Sequence, residues 1–366
     1  MTTTRLLFGF AVGAALLSAQ QPAKNVIIFL GDAAGISVLN AASIHGYKAP
    51  RKLFVQHMPN IGLSETSAAN NWVTDSAAGM TAIVTGQKTN NGVLSETPAA
   101  AGQEGKPLKT ILEYAEEHGL STGVVSNSAM SDATPAACYA HASSRKKTGE
   151  IFEQVWKPRF GDGVDVIIGP GRKAISASLL EMKIDLDKSL VASGRPIYRS
   201  AAAVPKDARR AVALFDGSDF DLGEAADKAI EVLSKNPKGF FLMVECDLHT
   251  NEPQRGLDRA VAFDKYIEKV AKRMPKDTLI IFLADHSFDF RLRSGKTGEA
   301  ISLPASSRAK GDPAVPPVKT DARVDNGHTG EEVLVAAQGP GSERVKGYLA
   351  NTDLFRIMLA AYGWSE

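Results

Sequence analysis

Residues 24–32 read KNVIIFLGD. The apolar run from Val26 to Leu30 has no polar position inside it and ends in Gly31-Asp32. A strand with one wet face alternates polar and apolar residues. A strand without alternation is covered on both faces, as central parallel strands of α/β sheets are. The pattern returns in STGVVSN (121–127), VDVIIGPG (164–171), GFFLMVE (239–245) and DTLIIFLADH (277–286). Between these runs lie helical patterns. PLKTILEYAEEHG (107–119) has Pro at its start and Gly at its end, and GEAADKAIEVLSKN (223–236) and LDRAVAFDKYIEKVAKRM (257–274) are amphipathic. This alternation predicts an α/β protein, a three-layer αβα sandwich with a mostly parallel central sheet. EEVLVAAQGP (331–340) breaks the order and reads as an antiparallel edge, while NTDLFRIMLAAYG (351–363) reads as a helix capped by Asn351 or Thr352.

The chain has 366 residues, 44% hydrophobic and 23% charged, which is the composition of a folded globular protein. No internal repeat or long linker divides residues 21–366, which read as one domain. The net charge of +1 gives no sign of a nucleic-acid surface. Two cysteines, Cys138 and Cys246, do not make a disulfide scaffold, and their spacing does not say whether they pair. Residues 1–20, MTTTRLLFGFAVGAALLSAQ, carry one positive charge, an apolar run from Leu6 to Leu17 and then small residues. That is the composition of a secretory signal peptide, and it predicts a secreted or periplasmic protein. An uncleaved anchor is the alternative, but the run is shorter than a spanning helix needs, and no later segment is apolar enough to span. Residues 291–327, rich in Gly, Ser, Pro and charge, read as a surface excursion near the site. Residues 172–215 read as an insertion that shapes substrate access.

In an open α/β sheet, ligands bind beyond the carboxyl ends of the strands. Asp32, Glu245, Asp285 and His286 fall there. Converging acids repel one another unless a bound cation removes the problem, and Asp, Glu and His together suit zinc, with oxygen-only positions suiting magnesium. A second stretch, WVTDSAAGMTAIVTG (72–86), sets Asp75-Ser76 before a run of small residues that reads as a closely packed helix. Either residue can cap that helix. A helix N-terminus also suits a phosphoryl group, and Ser76 there can act as a nucleophile. No G-x-S-x-G elbow surrounds Ser76, which speaks against a Ser-His-acid hydrolase.

Five motifs taken in order, GDAAG (31–35), VTDSAA (73–78), DATPAACYAH (132–141), ADH (284–286) and GHTGEE (327–332), together resemble the alkaline phosphatase family. The similarity runs from about residue 24 to the C-terminus. The resemblance implies a phosphate monoester hydrolase acting through a phosphoserine on Ser76, with two zinc ions and one magnesium ion and a small-molecule phosphate ester as substrate. It implies that Asp32 bridges the second zinc and the magnesium, and that Asp285, His286 and Ser76 complete that zinc site. Thr134 and Glu245 would bind magnesium, with Asp132 holding its waters. Arg145 would clamp phosphate, His328 would be a ligand of the first zinc, and the chain would form a homodimer.

The pattern breaks at the first zinc site. The family places an aspartate five residues after the strand-end glutamate and a histidine four further on. Those positions here are Thr250 and Gln254. Asp247 and His249, in ECDLHTNE, are expected to rebuild the site with His328 by a shorter loop, with Glu252 as a weaker substitute. The rival readings are a phosphodiesterase of the same superfamily and a non-catalytic phosphate-binding relative with an incomplete first zinc site. A sulfatase-like site would need Pro and Arg after the nucleophile, where Ser76 has Ala-Ala-Gly.

Overall fold

The computed structural model describes residues 21–100, 103–217, 220–308 and 320–366. The expected signal peptide, residues 1–20, lies outside the described residues. In chain order the elements are β1 (Asn25–Asp32), α1 (Ile36–Tyr47), β2 (Asn60–Ser64), α2 (Ser76–Thr85), α3 (Ile111–Glu117) and β3 (Ser121–Ser126). They continue with α4 (Ala133–Tyr139), α5 (Thr148–Glu153), β4 (Val166–Pro170), α6 (Arg172–Glu181), α7 (Leu186–Ala192), β5 (Ile197–Tyr198) and β6 (Ala211–Phe215). Next come α8 (Leu222–Leu233), β7 (Phe240–Asp247), α9 (Pro253–Arg273), β8 (Thr278–Leu283), β9 (Ser287–Leu292) and β10 (Ala322–Thr329). The chain closes with β11 (Val333–Gln338), β12 (Gly347–Leu349) and α10 (Asp353–Tyr362).

Ten strands form one sheet in the order β12-β2-β11-β8-β1-β7-β3-β4-β6-β5. Only β11 runs against its neighbours. Every residue of β1 is buried, because β7 and β8 flank it in parallel and helices cover both faces. Val26, Ile28 and Leu30 point into a core shared with α2, α3, α4 and α10. Ile27 and Phe29 point into the opposite core, under α1, α8 and α9. This is the expected three-layer sandwich, and it sets the carboxyl ends of β1, β7 and β8 side by side. Asp32 pairs in register with Asp247, and Leu30 with Glu245.

Several local expectations change. β11 is not an edge, because it lies between β2 and β8, and the edges are β12 and β5. The helix expected from Pro107 begins at Ile111, where Thr110 caps it and Glu113 reaches back to the Thr110 amide. That reciprocal pair outweighs the Pro signal. Thr352 stands at the cap of α10 without a side-chain cap bond, and Asp353 instead accepts from the Ala350 amide. Residues 287–292 and 322–329, partly read as irregular excursion, pair as a separate two-stranded antiparallel sheet. Both cysteines are buried and free.

The small residues of α2 have a physical reason. All ten residues of the helix are buried. A Cβ on Gly79 would lie 2.9 Å from the Asp285 carbonyl oxygen and 3.3 Å from Thr74 Cγ2. The backbone of the 285 turn therefore needs Gly at that position. Gly79→Ala is expected to lower stability by about 1–3 kcal/mol through overpacking against backbone, read as a lower urea midpoint at unchanged m-value.

Candidate functional site

Asp32, Ser76, Asp132, Arg145, Asp247, His249 and His328 line one open cavity of about 360 Å³ at the carboxyl edge of the sheet. Asp285, His286, Glu245 and Thr134 are buried. A larger concavity of about 610 Å³ opens at the other end, near the starts of β3 and β7, and contains none of these residues.

Ser76 is the first residue of α2, and the bland role falls to its neighbour. Asp75 caps the helix, accepting from the Ala78 amide at 3.1 Å. Ser76 Oγ is left 3.1 Å from His286 Nε2 and 3.4 Å from Asp32 Oδ2. The turn after β1 supports this placement. Ala33 takes a left-handed conformation, φ 66°, and its amide donates to Asp285 Oδ1 at 3.3 Å. That ties the β1 turn to the β8 turn.

The three imidazoles share one arrangement. His249 Nδ1 is 2.8 Å from Asp247 Oδ1, His286 Nδ1 is 3.1 Å from the Ser287 carbonyl, and His328 Nδ1 is 3.1 Å from the Thr74 carbonyl. A carbonyl accepts only from N–H, so in His286 and His328 the proton sits on Nδ1 and the Nε2 lone pair is free to bind a cation. This is the usual preparation of a metal-binding histidine. His249 Nε2 and His328 Nε2 face each other at 3.3 Å, and the His286 and His328 rings stack at 3.7 Å.

Among the described residues, two groups hold ligand atoms within 4.8 Å of one another: His249, His286 and His328, and Asp32, Asp285 and His286. The second group tests whether a cation fits. Asp32 Oδ1 and Asp285 Oδ2 are buried and accept no hydrogen bond, and Thr134 Oγ1 is equally unsatisfied. Buried oxygens without partners are costly, and a cation would satisfy them. Burial first, with neighbouring acids, pushes Asp32 and Asp285 up to about 6. Burial and then Asp32 hold Glu245 well above the usual carboxylate range, although Ser126 donates to it. Burial drives His286 down to about 4. Burial also opposes charge on His249, but Asp32 and Asp247 outweigh it and raise the group to about 9. The upward shifts of the three acids record negative charge that burial and their neighbours disfavour.

Asp247, expected as a ligand of the first zinc, lines the cavity beside His249 but is in neither group of ligand atoms. Its Oδ1 accepts from the His249 amide at 3.0 Å and meets His249 Nδ1, while Oδ2 accepts from Arg259 Nη1 at 3.2 Å. With both oxygens engaged, Asp247 sits behind His249 and orients it. Thr250 is buried, and Gln254 turns to Asp258 at 3.0 Å. Glu252 lines the cavity. No residue of 172–215 does so, which differs from the expected role of that segment in access.

Arg145 reaches the cavity between two acids, 2.7 Å from Asp132 Oδ1 and 3.1 Å from Asp75 Oδ2. Burial works against its charge, but Asp132 and Asp75 outweigh that and hold the guanidinium above its ordinary value. Asp132 also caps α4. Sequence reading missed Arg259, Arg255 and Ser126. The two arginines are i and i+4 on the first turns of α9, so a helical projection from Pro253 would have placed them on one face.

A parallel sheet whose carboxyl edge carries histidines, unpaired acids, an arginine and a serine at a helix N-terminus is laid out for an anionic substrate handled with cations. The family model for alkaline phosphatase matches residues 23–188 and 213–315, and the chain belongs to the alkaline phosphatase family, whose members hydrolyse phosphate esters. The alkaline phosphatase of Escherichia coli K12 is 29% identical over 417 residues, covering 94% of this chain and 87% of that protein. Streptomycin-6-phosphate phosphatase of Streptomyces griseus is 29% identical, covering 94% of this chain and 92% of that protein. The solved alkaline phosphatase of the Antarctic bacterium TAB5 superposes with TM-score 0.76 at 25% identity, covering 94% of this chain and 100% of that one.

Asp75 joins three elements of the site, because its carboxylate also accepts from the Gly92 amide at 3.0 Å. Asp75→Ala is expected to cost about 1–2 kcal/mol through the lost cap. Asp75→Asn keeps an accepting oxygen and should cost less. Urea unfolding of the two variants beside the parent measures the difference.

Proposed function

We propose that this phosphatase acts on phosphate monoesters by a metal-dependent, two-step reaction through a phosphoserine on Ser76. The observation that carries the reading is the position of Ser76 Oγ, at a helix N-terminus and within 3.1 Å of a histidine Nε2 that belongs to both groups of ligand atoms. A solved variant of the TAB5 enzyme has Mg bound in its M3 site, which supports a cation requirement here.

Zinc would be held by His249 and His328 in one group and by Asp32, Asp285, His286 and Ser76 in the other. Magnesium would be held by Asp32, Glu245 and Thr134, with Asp132 nearby. When bound, these ions would supply positive charge that neutralises the acids, favours ionised Ser76 and stabilises the leaving oxygen. The chain's own residues do the rest. The N-terminal dipole of α2 and the fork of Arg145 hold the equatorial phosphoryl oxygens. Ser76 Oγ, its proton given up to solvent, forms the bond to phosphorus as the bond from phosphorus to the ester oxygen breaks on the opposite side, and the departing oxygen takes a proton from water, releasing the alcohol. Asp32 Oδ2 and His286 Nε2, the polar atoms nearest Ser76 Oγ, fix its position. Water then cleaves the phosphoserine, giving inorganic phosphate and restoring Ser76. Residues 1–20 would direct export and be removed, leaving residues 21–366 as one secreted or periplasmic catalytic domain; no helix of the described residues is long and apolar enough to cross a membrane.

The test is elemental analysis of chelator-free protein beside phosphate release from a simple aryl phosphate. Bound zinc and magnesium with release is expected, and metal-free protein that releases phosphate at the same rate would overturn the metal requirement. Ser76→Ala should lower turnover by about a millionfold, as loss of a serine nucleophile does elsewhere, and leave no acid-stable phosphoserine after quenching. A labelled Ser76→Ala protein would overturn the assignment of the nucleophile.

Metal binding should also depend on pH in a defined direction. Asp32 and Asp285, raised from 3.8 to about 6, contribute stability that is whole below 3.8 and lost as pH rises through about 6 in the metal-free protein. His249, raised from 6.5 to about 9, loses its contribution as pH rises through about 9. His286, lowered to about 4, works oppositely, and its contribution is lost as pH falls from 6.5 through about 4. Ligands must shed protons to bind metal, so the rise in Tm on adding zinc and magnesium should be larger near pH 8 than near pH 5. Differential scanning calorimetry of chelated and reloaded protein measures it.

A further inference from the structure

A second concavity, of about 570 Å³, lies between α8 and α9. It shares Arg259 with the catalytic cavity. The wall between the two is thin. Asn127 lines the second cavity, and its Oδ1 accepts from the amide of Asp247, which lines the first, at 2.7 Å. Cys246, one residue before Asp247 on β7, forms part of the floor.

Direction connects the two spaces. Ser76 approaches phosphorus from the face of the sheet covered by α2, since Ala77 and Met80 pack there with Ile28 and Leu30. In-line displacement sends the leaving oxygen away from the nucleophile. That is the side of His249, Arg255 and Arg259, toward α9, whose buried residues pack on the opposite face. An organic group attached to that oxygen is therefore directed toward α9, where Arg259 borders both cavities.

The lining specifies the group. Phe220, Phe263 and Tyr266 supply aromatic walls. Each cation there has a partner: Arg259 bonds Asp247, and Lys269 bonds Asp227, which also accepts from Tyr266 and Arg273. Asp221, which caps α8 by accepting from the Glu224 amide, and Glu224 are both exposed at the start of that helix, and neither is in an ion pair with a cation of the described residues. The cavity thus offers apolar walls with uncompensated negative charge at one end.

We infer that this cavity receives the organic part of the ester, an aromatic or alicyclic alcohol carrying an amine. The assignment rests on the phosphatase reading above and adds the substrate class. The test compares kcat/KM for methyl phosphate, para-aminomethyl-phenyl phosphate and para-carboxyphenyl phosphate in the parent, Ala262→Trp and Glu224→Gln proteins. Ala262 lines the cavity from the exposed side of α9, so Trp there fills it. The parent should prefer the aminomethyl ester to the carboxylate. Ala262→Trp should lower the aminomethyl-over-methyl ratio by about tenfold or more. Glu224→Gln, a surface change that does not threaten folding, should reduce the amine-over-carboxylate preference several-fold. Calorimetric binding of para-aminomethyl-phenol should weaken in both variants. Ratios that do not move in either variant, or a parent that prefers the carboxylate, would overturn the cavity assignment while phosphate release from methyl phosphate leaves the phosphatase standing. A parent that releases phosphate from none of the esters would overturn both.

Discussion

Asp32 Oδ1 and Asp285 Oδ2 are buried acceptors without a hydrogen bond, and His286 Nε2 lies 3.3 Å from the first and 3.5 Å from the second. Much of the surrounding structure serves to hold those three atoms together. Two carboxylates in a buried site raise each other's affinity for protons, and removing their hydration costs several kcal/mol unless a cation replaces it. A chain under selection for stability alone would place apolar residues there. The fold tolerates the arrangement because the strands that carry it are fixed. β1 is bonded on both sides over most of its length, and the tight packing of α2 against the 285 turn leaves that turn no room to relax.

Rigidity of that kind matters to a serine nucleophile. Ser76 has no adjacent base of the Ser-His-acid type, because the His286 Nδ1 proton goes to the Ser287 carbonyl rather than to an acid, and its Nε2 lone pair shares a group of ligand atoms with Asp32 and Asp285. Its reactivity must come from position and from charge. The helix N-terminus supplies part of the positive field, and Asp75 fixes the helix start while also holding Arg145. The clamp that would grip phosphate is thus bonded to the residue that orients the nucleophile, and strain at one is felt at the other.

The fold was legible because burial leaves a plain mark. VIIFL, FFLMV and LIIFL have no polar positions, and all three became central strands. The strand-end residues Asp32, Glu245, Asp285 and His286 followed from topology, since ligand sites of open sheets lie where the strands leave the core. Arg145 and His328 were legible only through resemblance. One is a loop residue in a basic run and the other sits on β10 in the small second sheet, and neither position has a local signal. Asp247 shows the limit of spacing. Two residues apart past a strand places it and His249 on one side, which held. Spacing could not show that Arg259, twelve residues on, would donate to the second carboxylate oxygen of Asp247.

The short loop after β7 accounts for the departure from the family pattern. α9 begins at Pro253, so Gln254 is already in the helix and its amide is committed to Asp258. Gln254 therefore does not face the strand ends, although its neighbours Glu252 and Arg255 line the cavity. The histidine must therefore come earlier, and at position 249 it reaches His328 only if its ring is turned by a partner at Nδ1. Asp247 is the partner within reach, and its charge is already matched by Arg259. The consequence is electrostatic. An ion held by His249 and His328 would have neutral imidazoles as its nearest ligands and a carboxylate one bond further out, whereas an ion beside Asp32 and Asp285 would be largely neutralised. Two sites a few ångströms apart would then differ in net charge, and the more positive one lies on the side toward which the leaving oxygen departs.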